Sequence, residues 1–330
     1  MMFPDRRTLR IPPSWPLTLL VVVDTEEEFD WNAPFDPGSV QVRNIAEQPV
    51  VQAIFDAHGV APTYVVDYPV AATPAARDVL RAIAAEGRCT IGAHLHPWVT
   101  PPHEGPVGGR HSYAGNLPPA LERAKLAALT DMIETGFGQR PTIYKAGRYG
   151  VGPDTMASLA ALGYRIDCSV VPFTDFSPDD GPDFSALDNQ PFTLPQGLTE
   201  LPLSVNYAGA LAASGPRLFP LLETPTGRRL HLGGIASRAG LLERLRLSPE
   251  GHTLPEMIRQ TRAAMAQGQR LFMMTYHSSS LLPGAAPYVR DAAGLQAFLA
   301  TISGYCEHFF SVLGGRPGTL AGTAAALADT

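Results

Sequence analysis

Two clusters in this chain have residue types and spacing suited to chemistry: the histidines His94 and His96 in "GAHLHPW", and five acids in seven positions, Asp24, Glu26, Glu27, Glu28 and Asp30, in "VVVDTEEEFDW". On an extended strand, residues i and i+2 share a face about 6 to 7 Å apart, so both imidazoles can reach one cation. Two neutral imidazoles and one carboxylate make a common ligand set for zinc or another divalent transition metal, with positions left for water and substrate. If strand geometry persists past Asp24, then Asp24, Glu26 and Glu28 face one way and Glu27 the other. Neighbouring carboxylates repel and hold their protons unless a cation stabilises them. One of them can ligate a metal while the next acts as general base toward a water. Glu27, Glu28 and Asp30 are expected to be solvated acids of a loop.

Two further groups complete the set. Lys145 and Arg148 in "YKAGRYG" supply positive charge to orient a base carboxylate, and Arg148 is the better candidate because guanidinium grips carboxylate in a planar fork. His277, after the apolar run "LFMMTY", stands where an imidazole can serve a leaving group.

The elements that must position these residues alternate. Strands are expected at 17–23, in "APTYVVDYPVA", in "RCTIGAHLHPW", in "PTIYKAG", in "YRIDCSVV", at 198–205 and at 270–278. Helices are expected within 44–60, in "TPAARDVLRAIAAEG" (Thr73 as N-cap, Pro74 in the first turn, Gly87 as stop), at 120–136 and in "PDTMASLAALG". Thr253 and Glu256 form a capping box for a helix running to about Gln267, and "AGLQAFLATISGYCEHFFSVL" reads as a long packing helix. The stretch 206–250 carries no readable pattern. Strand and helix in alternation, without a glycine-rich phosphate loop, favour a β/α barrel over a doubly wound sheet. In such a barrel, chemistry sits at the C-terminal strand ends, which is where Asp24, Glu26, His94, His96, Lys145, Arg148, Asp167, Glu200 and His277 fall.

At 330 residues, 45% hydrophobic, the chain can bury a large core, and the expectation is one barrel domain with an irregular insertion at about 206–250. A net charge of −6 with 17% charged residues argues against nucleic acid as a partner. Three scattered cysteines suggest neither a disulfide framework nor a thiolate metal site. No stretch reaches the roughly eighteen apolar residues of a membrane span. The short apolar run at 17–23 is read as a strand rather than a signal peptide, so a cytoplasmic location and a precursor or metabolite substrate are expected.

The ordered set "VVVDTEEEFDW", "GAHLHPW", "YKAGRYG", "IDCSV", "LPLS" and "TYHSSSLLPGAAPYV", spanning residues 17 to 290, resembles the polysaccharide deacetylase (NodB-homology) family of carbohydrate esterases, in its WalW-like branch. The resemblance implies a distorted (β/α)7 barrel and metal-dependent removal of an acyl group, usually N-acetyl, from a sugar. It assigns Asp24 as base, His94 and His96 as metal histidines, Glu26 in place of the metal carboxylate and His277 as acid, with zinc the expected ion. In that scheme a metal-activated water gives its proton to Asp24 and attacks the amide carbonyl, and His277 protonates the leaving amine. The motif arginine corresponds to Lys145 or Arg148. Two spacings depart from the family: HxH where most members have HxxxH, and Asp-Thr-Glu where adjacent aspartates are usual. Alternative readings are a glycoside hydrolase with paired carboxylates and a barrel that binds carbohydrate or a partner without catalysis.

Overall fold

The computed structural model describes residues 2–105 and 107–328. Its framework follows from apolar runs too short for helices and too hydrophobic to face water on either side. Thr18–Thr25 is the clearest case: all eight residues are buried, as expected of a strand covered on both faces. Seven such strands lie parallel: β1 (Thr18–Thr25), β2 (Thr63–Val66), β3 (Thr90–Leu95), β4 (Ile143–Ala146), β5 (Ile166–Asp167), β6 (Thr199–Glu200) and β7 (Leu271–His277). Their spatial order is β6-β5-β4-β3-β2-β1-β7, the curled sheet of a β/α barrel. Two short strands, Arg7–Thr8 and Phe192–Thr193, extend the β6 edge antiparallel.

Helices follow the strands as the periodicity requires. They are α1 (Gln48–Asp56), α2 (Pro74–Ala85), α3 (Pro119–Phe137), α4 (Thr155–Leu162), α5 (Leu254–Ala266) and α6 (Ala292–Glu307). The end signals behave as their chemistry dictates. Gly163 stops α4 at φ +96°, a conformation that only glycine adopts freely. The Thr253–Glu256 capping box is formed in full at the start of α5. No helix among the described residues is long and apolar enough to cross a membrane.

The stretch 206–250 resolves into a hairpin, Val205–Ala208 paired antiparallel with Glu243–Arg246, whose connection carries three short helices, Gly215–Leu222, Pro225–Arg229 and Leu232–Arg238. Its pattern was unreadable because these helices are too brief for helical periodicity to develop, and one of them carries Pro220 in its interior.

No ladder joins β6 to β7 among the described residues; the barrel is closed there by a seam of single hydrogen bonds. Leu247 N–H donates to Ser204 O (2.9 Å), Thr275 N–H donates to Leu247 O (3.2 Å), and Met273 N–H donates to Ser204 Oγ (2.8 Å). Gln260 adds a bond to Ser204 O (3.0 Å). Ser204→Ala would leave the buried Met273 N–H without an acceptor, which costs about 1–3 kcal/mol. A urea denaturation midpoint equal to that of wild type would show that the seam does not depend on this hydroxyl.

Candidate metal centre

Parallel register brings the chemistry together. β7 lies beside β1 with His277 opposite Asp24, and β3 lies beside β4 with His94 opposite Lys145, so four ionisable residues arrive at one end of the sheet. β1 ends at Thr25, and the backbone beyond it is held by side chains from two other strand ends and from the helical turn Arg43–Glu47. Glu26 N–H donates to Ser278 Oγ (3.0 Å), Glu27 N–H donates to Asp67 Oδ2 (2.7 Å), and the Asn44 amide donates to Glu26 O (3.1 Å). The alternation assumed from the sequence therefore lapses after Asp24, and Glu26 and Glu27 both turn inward.

Glu26 Oε2 lies 3.6 Å from His94 Nε2 and 3.4 Å from His96 Nε2, and all three residues are buried. The other ring nitrogens fix the tautomers. His94 Nδ1 lies 2.9 Å from Lys145 O, an atom that can only accept, and His96 Nδ1 lies 2.7 Å from Glu27 Oε2. With both protons on Nδ1, both Nε2 lone pairs point toward the Glu26 carboxylate. Burial keeps the rings neutral, lowering His94 well below its usual value and His96 to about 4. Burial also raises Glu26 well above its ordinary range, helped by the charges of Glu27 and Asp24. Three lone-pair donors converging in a dry site, with two tautomers already set for ligation, fit a divalent cation.

Glu27 is the principal correction to the sequence reading. It is fully buried rather than solvated, and its two oxygens accept from His96 Nδ1 and from Trp98 Nε1 (2.7 Å). Burial raises it to about 7. Glu28 is also no free loop acid, since it accepts from Arg43 and from the Asn44 N–H (3.1 Å). Asp30 is exposed, as expected.

The cation on Asp24 is Lys145, which donates to both carboxylate oxygens and to Thr275 Oγ1 (3.3 Å). Arg148, the favoured candidate, instead bonds Ser112 Oγ. Lys145 lies within β4, where register fixes its direction; Arg148 lies past the strand end at φ 52°, where it does not. Burial would raise the Asp24 pKa, but the Lys145 ammonium, by its charge and its hydrogen bonds, outweighs it and holds the carboxyl at about 2. His277 stands on the far side of Asp24, its Nε2 3.5 Å from Asp24 Oδ2 and its Nδ1 2.8 Å from Glu250 Oε2. Glu250 also accepts from the His277 N–H (2.9 Å) and from Ser280 Oγ (2.6 Å). It is a site residue the sequence hid, because it lies in the patternless stretch. Gly147 leaves no room for a side chain, since a Cβ there would meet Leu95 O and His96 Cδ2 at 2.4 Å.

Asp24, Glu26, His94, His96 and His277 line a cleft of about 330 Å³ whose walls include Trp31, Tyr113, Tyr149, Phe176 and Tyr288. Tyr113 and Phe176 face the cleft, whereas Phe173 and Tyr207 pack on each other at 5.2 Å. Asp167 and Glu200, although also at strand ends, do not line the cleft.

The fold is that of the polysaccharide-deacetylase type of β/α barrel. A solved structure that shares it is a Mycobacterium smegmatis protein described as a polysaccharide deacetylase, similar over 95% of this chain and 97% of its own, with a TM-score of 0.51 and 20% identity. Weaker likenesses are to the PuuE allantoinase (TM-score 0.49, 17% identity, 93% of this chain and 91% of that one) and to the chitin deacetylase of Colletotrichum lindemuthianum (0.45, 11%, 93% and 87%). At these identities the likeness is one of fold. No protein-family model and no curated protein sequence matches the chain.

The Asp167–Glu200 pair carries a consequence for stability. The two residues face each other across β5 and β6, and each keeps one buried oxygen without a donor unless a proton is shared between them. Burial raises Asp167 to about 6, and burial with the charge of Asp167 raises Glu200 further. The folded state therefore holds a proton that the unfolded chain has released, so stability falls as pH rises from about 4 to 6 or above, by an order of 1–3 kcal/mol. Asp167→Asn should flatten this fall, measured as the urea midpoint from pH 4 to 7. An unchanged slope would exclude the shared proton.

Proposed function

We propose that this chain is a metal-dependent hydrolase that removes an acyl group, N-acetyl in the first instance, from an amino sugar or small amide. The observation that carries the reading is the convergence of Glu26 Oε2 with the Nε2 atoms of His94 and His96, next to a carboxylate, Asp24, held between Lys145 and His277. The fold shared with a protein described as a polysaccharide deacetylase supports it.

Glu26, His94 and His96 would hold the ion, zinc being the choice that suits two imidazoles and a carboxylate. Bound there, it would polarise an acyl carbonyl and acidify water. The chain's own residues do the rest. Glu27 accepts from His96 Nδ1 and Lys145 O accepts from His94 Nδ1, so both rings stay oriented with Nε2 free. Asp24, ionised at any ordinary pH because of Lys145, is placed to accept a proton but is a weak base by itself, so it needs an acidified donor. His277 Nε2 faces the same carboxylate and can pass a proton to a leaving amine, while Glu250 holds its Nδ1. A glycoside hydrolase would need two carboxylates free to flank a bond. Here Asp24 is committed to Lys145 and Glu26 to the histidines.

Protein as purified should contain a divalent transition metal by elemental analysis, lost with strong chelator and restored by zinc. Asp24→Asn should keep the metal yet release acetate from chitooligosaccharides at least about 100-fold more slowly, whereas His94→Ala should lose the metal itself. Protein with neither metal nor turnover would leave a barrel without catalysis as the surviving reading.

A further inference from the structure

The cleft that holds the carboxylates and histidines also holds two arginines that the chemistry above does not use. Arg148 donates through Nη1 to Ser112 Oγ and to Gly109 O (3.4 Å), and its guanidinium lies 4.1 Å from the Tyr113 ring centre and 5.2 Å from that of Phe35. Arg246 donates through Nη1 to the Tyr149 hydroxyl (2.6 Å). Both line the cleft, and neither pairs with a carboxylate among the described residues, although acids outnumber Lys and Arg by 31 to 25. Elsewhere Arg43, Arg88, Arg110, Arg140, Arg228 and Arg259 lie against carboxylates, while Arg77, Arg165 and Arg244 donate to backbone carbonyls outside the cleft. Two acids other than the buried ones, Asp30 and Asp179, also line the cleft, and both are exposed.

Both arginines are held in place rather than left to wander. Arg148 and Tyr149 are consecutive non-glycine residues in left-handed conformation, φ 52° and 61°, a strained backbone that side-chain contacts must maintain. The turn sets Arg148 between aromatic faces and Tyr149 under Arg246, so the two cations are braced by neighbouring residues. Each guanidinium has five N–H donors; Arg148 uses Nη1 for the hydrogen bonds above, and Arg246 uses Nη1 toward Tyr149 and also interacts with the Tyr288 hydroxyl, which leaves part of each fork open. The Trp31 indole N–H, in a ring 5.0 Å from that of His277, likewise has no acceptor in the structure. Glu250 and Asp24 lie near enough to favour the Arg246 charge, but they are engaged by His277 and Lys145, and fixed guanidinium groups without a direct ion pair, beside aromatic walls, form a receptor for a planar or tetrahedral oxyanion.

We infer that the cleft selects a substrate carrying an anionic oxygen group, a carboxylate or a phosphate ester, which Arg148 and Arg246 bind while the acyl amide lies against Glu26, His94 and His96. The inference rests on the hydrolase reading for where the amide sits, but the anion site stands on the arginines alone. At about 330 Å³ the cleft is at the small end of ligand pockets, suited to a charged amino sugar of one or two rings. Tyr113, Tyr149 and Phe176 offer it apolar faces.

Matched probes, on wild type and on arginine variants, test this. N-acetylglucosamine, N-acetylmuramic acid with its lactyl carboxylate, and N-acetylglucosamine 1-phosphate would each be titrated into the metal-loaded protein by calorimetry and assayed for acetate release. One or both anionic probes should bind at least about tenfold more tightly than the neutral one, by a margin that shrinks with added salt. Which of the two gains separates carboxylate from phosphate. Arg148→Gln and Arg246→Gln, checked for folding by thermal unfolding, should each erase most of that margin, and Arg148→Lys should keep part of it. Equal binding of all three probes, or a margin that survives both Gln variants, overturns the inference. Acetate release without anion preference would overturn it and leave the hydrolase reading standing. Arginine-dependent anion preference without acetate release would uphold the anion site and overturn the hydrolase.

Discussion

The Lys145 ammonium against the Asp24 carboxylate, both buried at the strand ends, is the contact on which the rest of the site depends. Burying either charge alone would cost several kcal/mol, and removing one partner would leave the other uncompensated. The pair therefore fixes β4 against β1 across the intervening β2 and β3. The same Lys145 offers its backbone carbonyl to His94 Nδ1, so one residue sets both the charge of the base and the tautomer of a histidine. Asp24 in turn presents its outer oxygen to His277.

Around this contact the acids divide the work by what each can reach. Asp24 is neutralised by an ammonium, Glu250 accepts from His277 and Ser280, and Glu27 accepts from an imidazole and an indole. Asp67 receives the Glu27 N–H and the Val70 N–H, capping the short helix Tyr68–Ala72. Glu26 is left facing two lone pairs, its only hydroxyl contact being Ser279 Oγ at 3.5 Å among the described residues. A buried carboxylate facing two imidazole lone pairs, with no cationic side chain and no N–H donor of its own among the described residues, sits where a divalent ion would be stabilised.

Much of this was legible in the sequence, for reasons that differ residue by residue. His94 and His96 were readable because a spacing of two on a strand translates directly into a shared face, and Asp24, Lys145 and His277 because strand ends in a parallel barrel converge. Glu27 was misread because the rule of alternation holds only while the chain is a strand, and β1 stops at Thr25. Arg148 was misplaced for the same reason, lying in a left-handed turn that no periodicity anticipates. Asp167 and Glu200 showed the converse failure, since their strand-end positions suggested the cleft while their side chains turn toward each other. Glu250 and Arg246 could not be found at all, since only the three-dimensional closure of the barrel carries them to the site.

That closure has a consequence of its own. The hairpin bearing Arg246 and the bonds of Leu247 to Ser204 and Thr275 are adjacent in the chain, so the barrel's unlaced edge is also the socket into which a separable part is plugged. Everything between Ala208 and Glu243 hangs outside the seam, and its length and composition can vary without loosening a bond that closes the barrel.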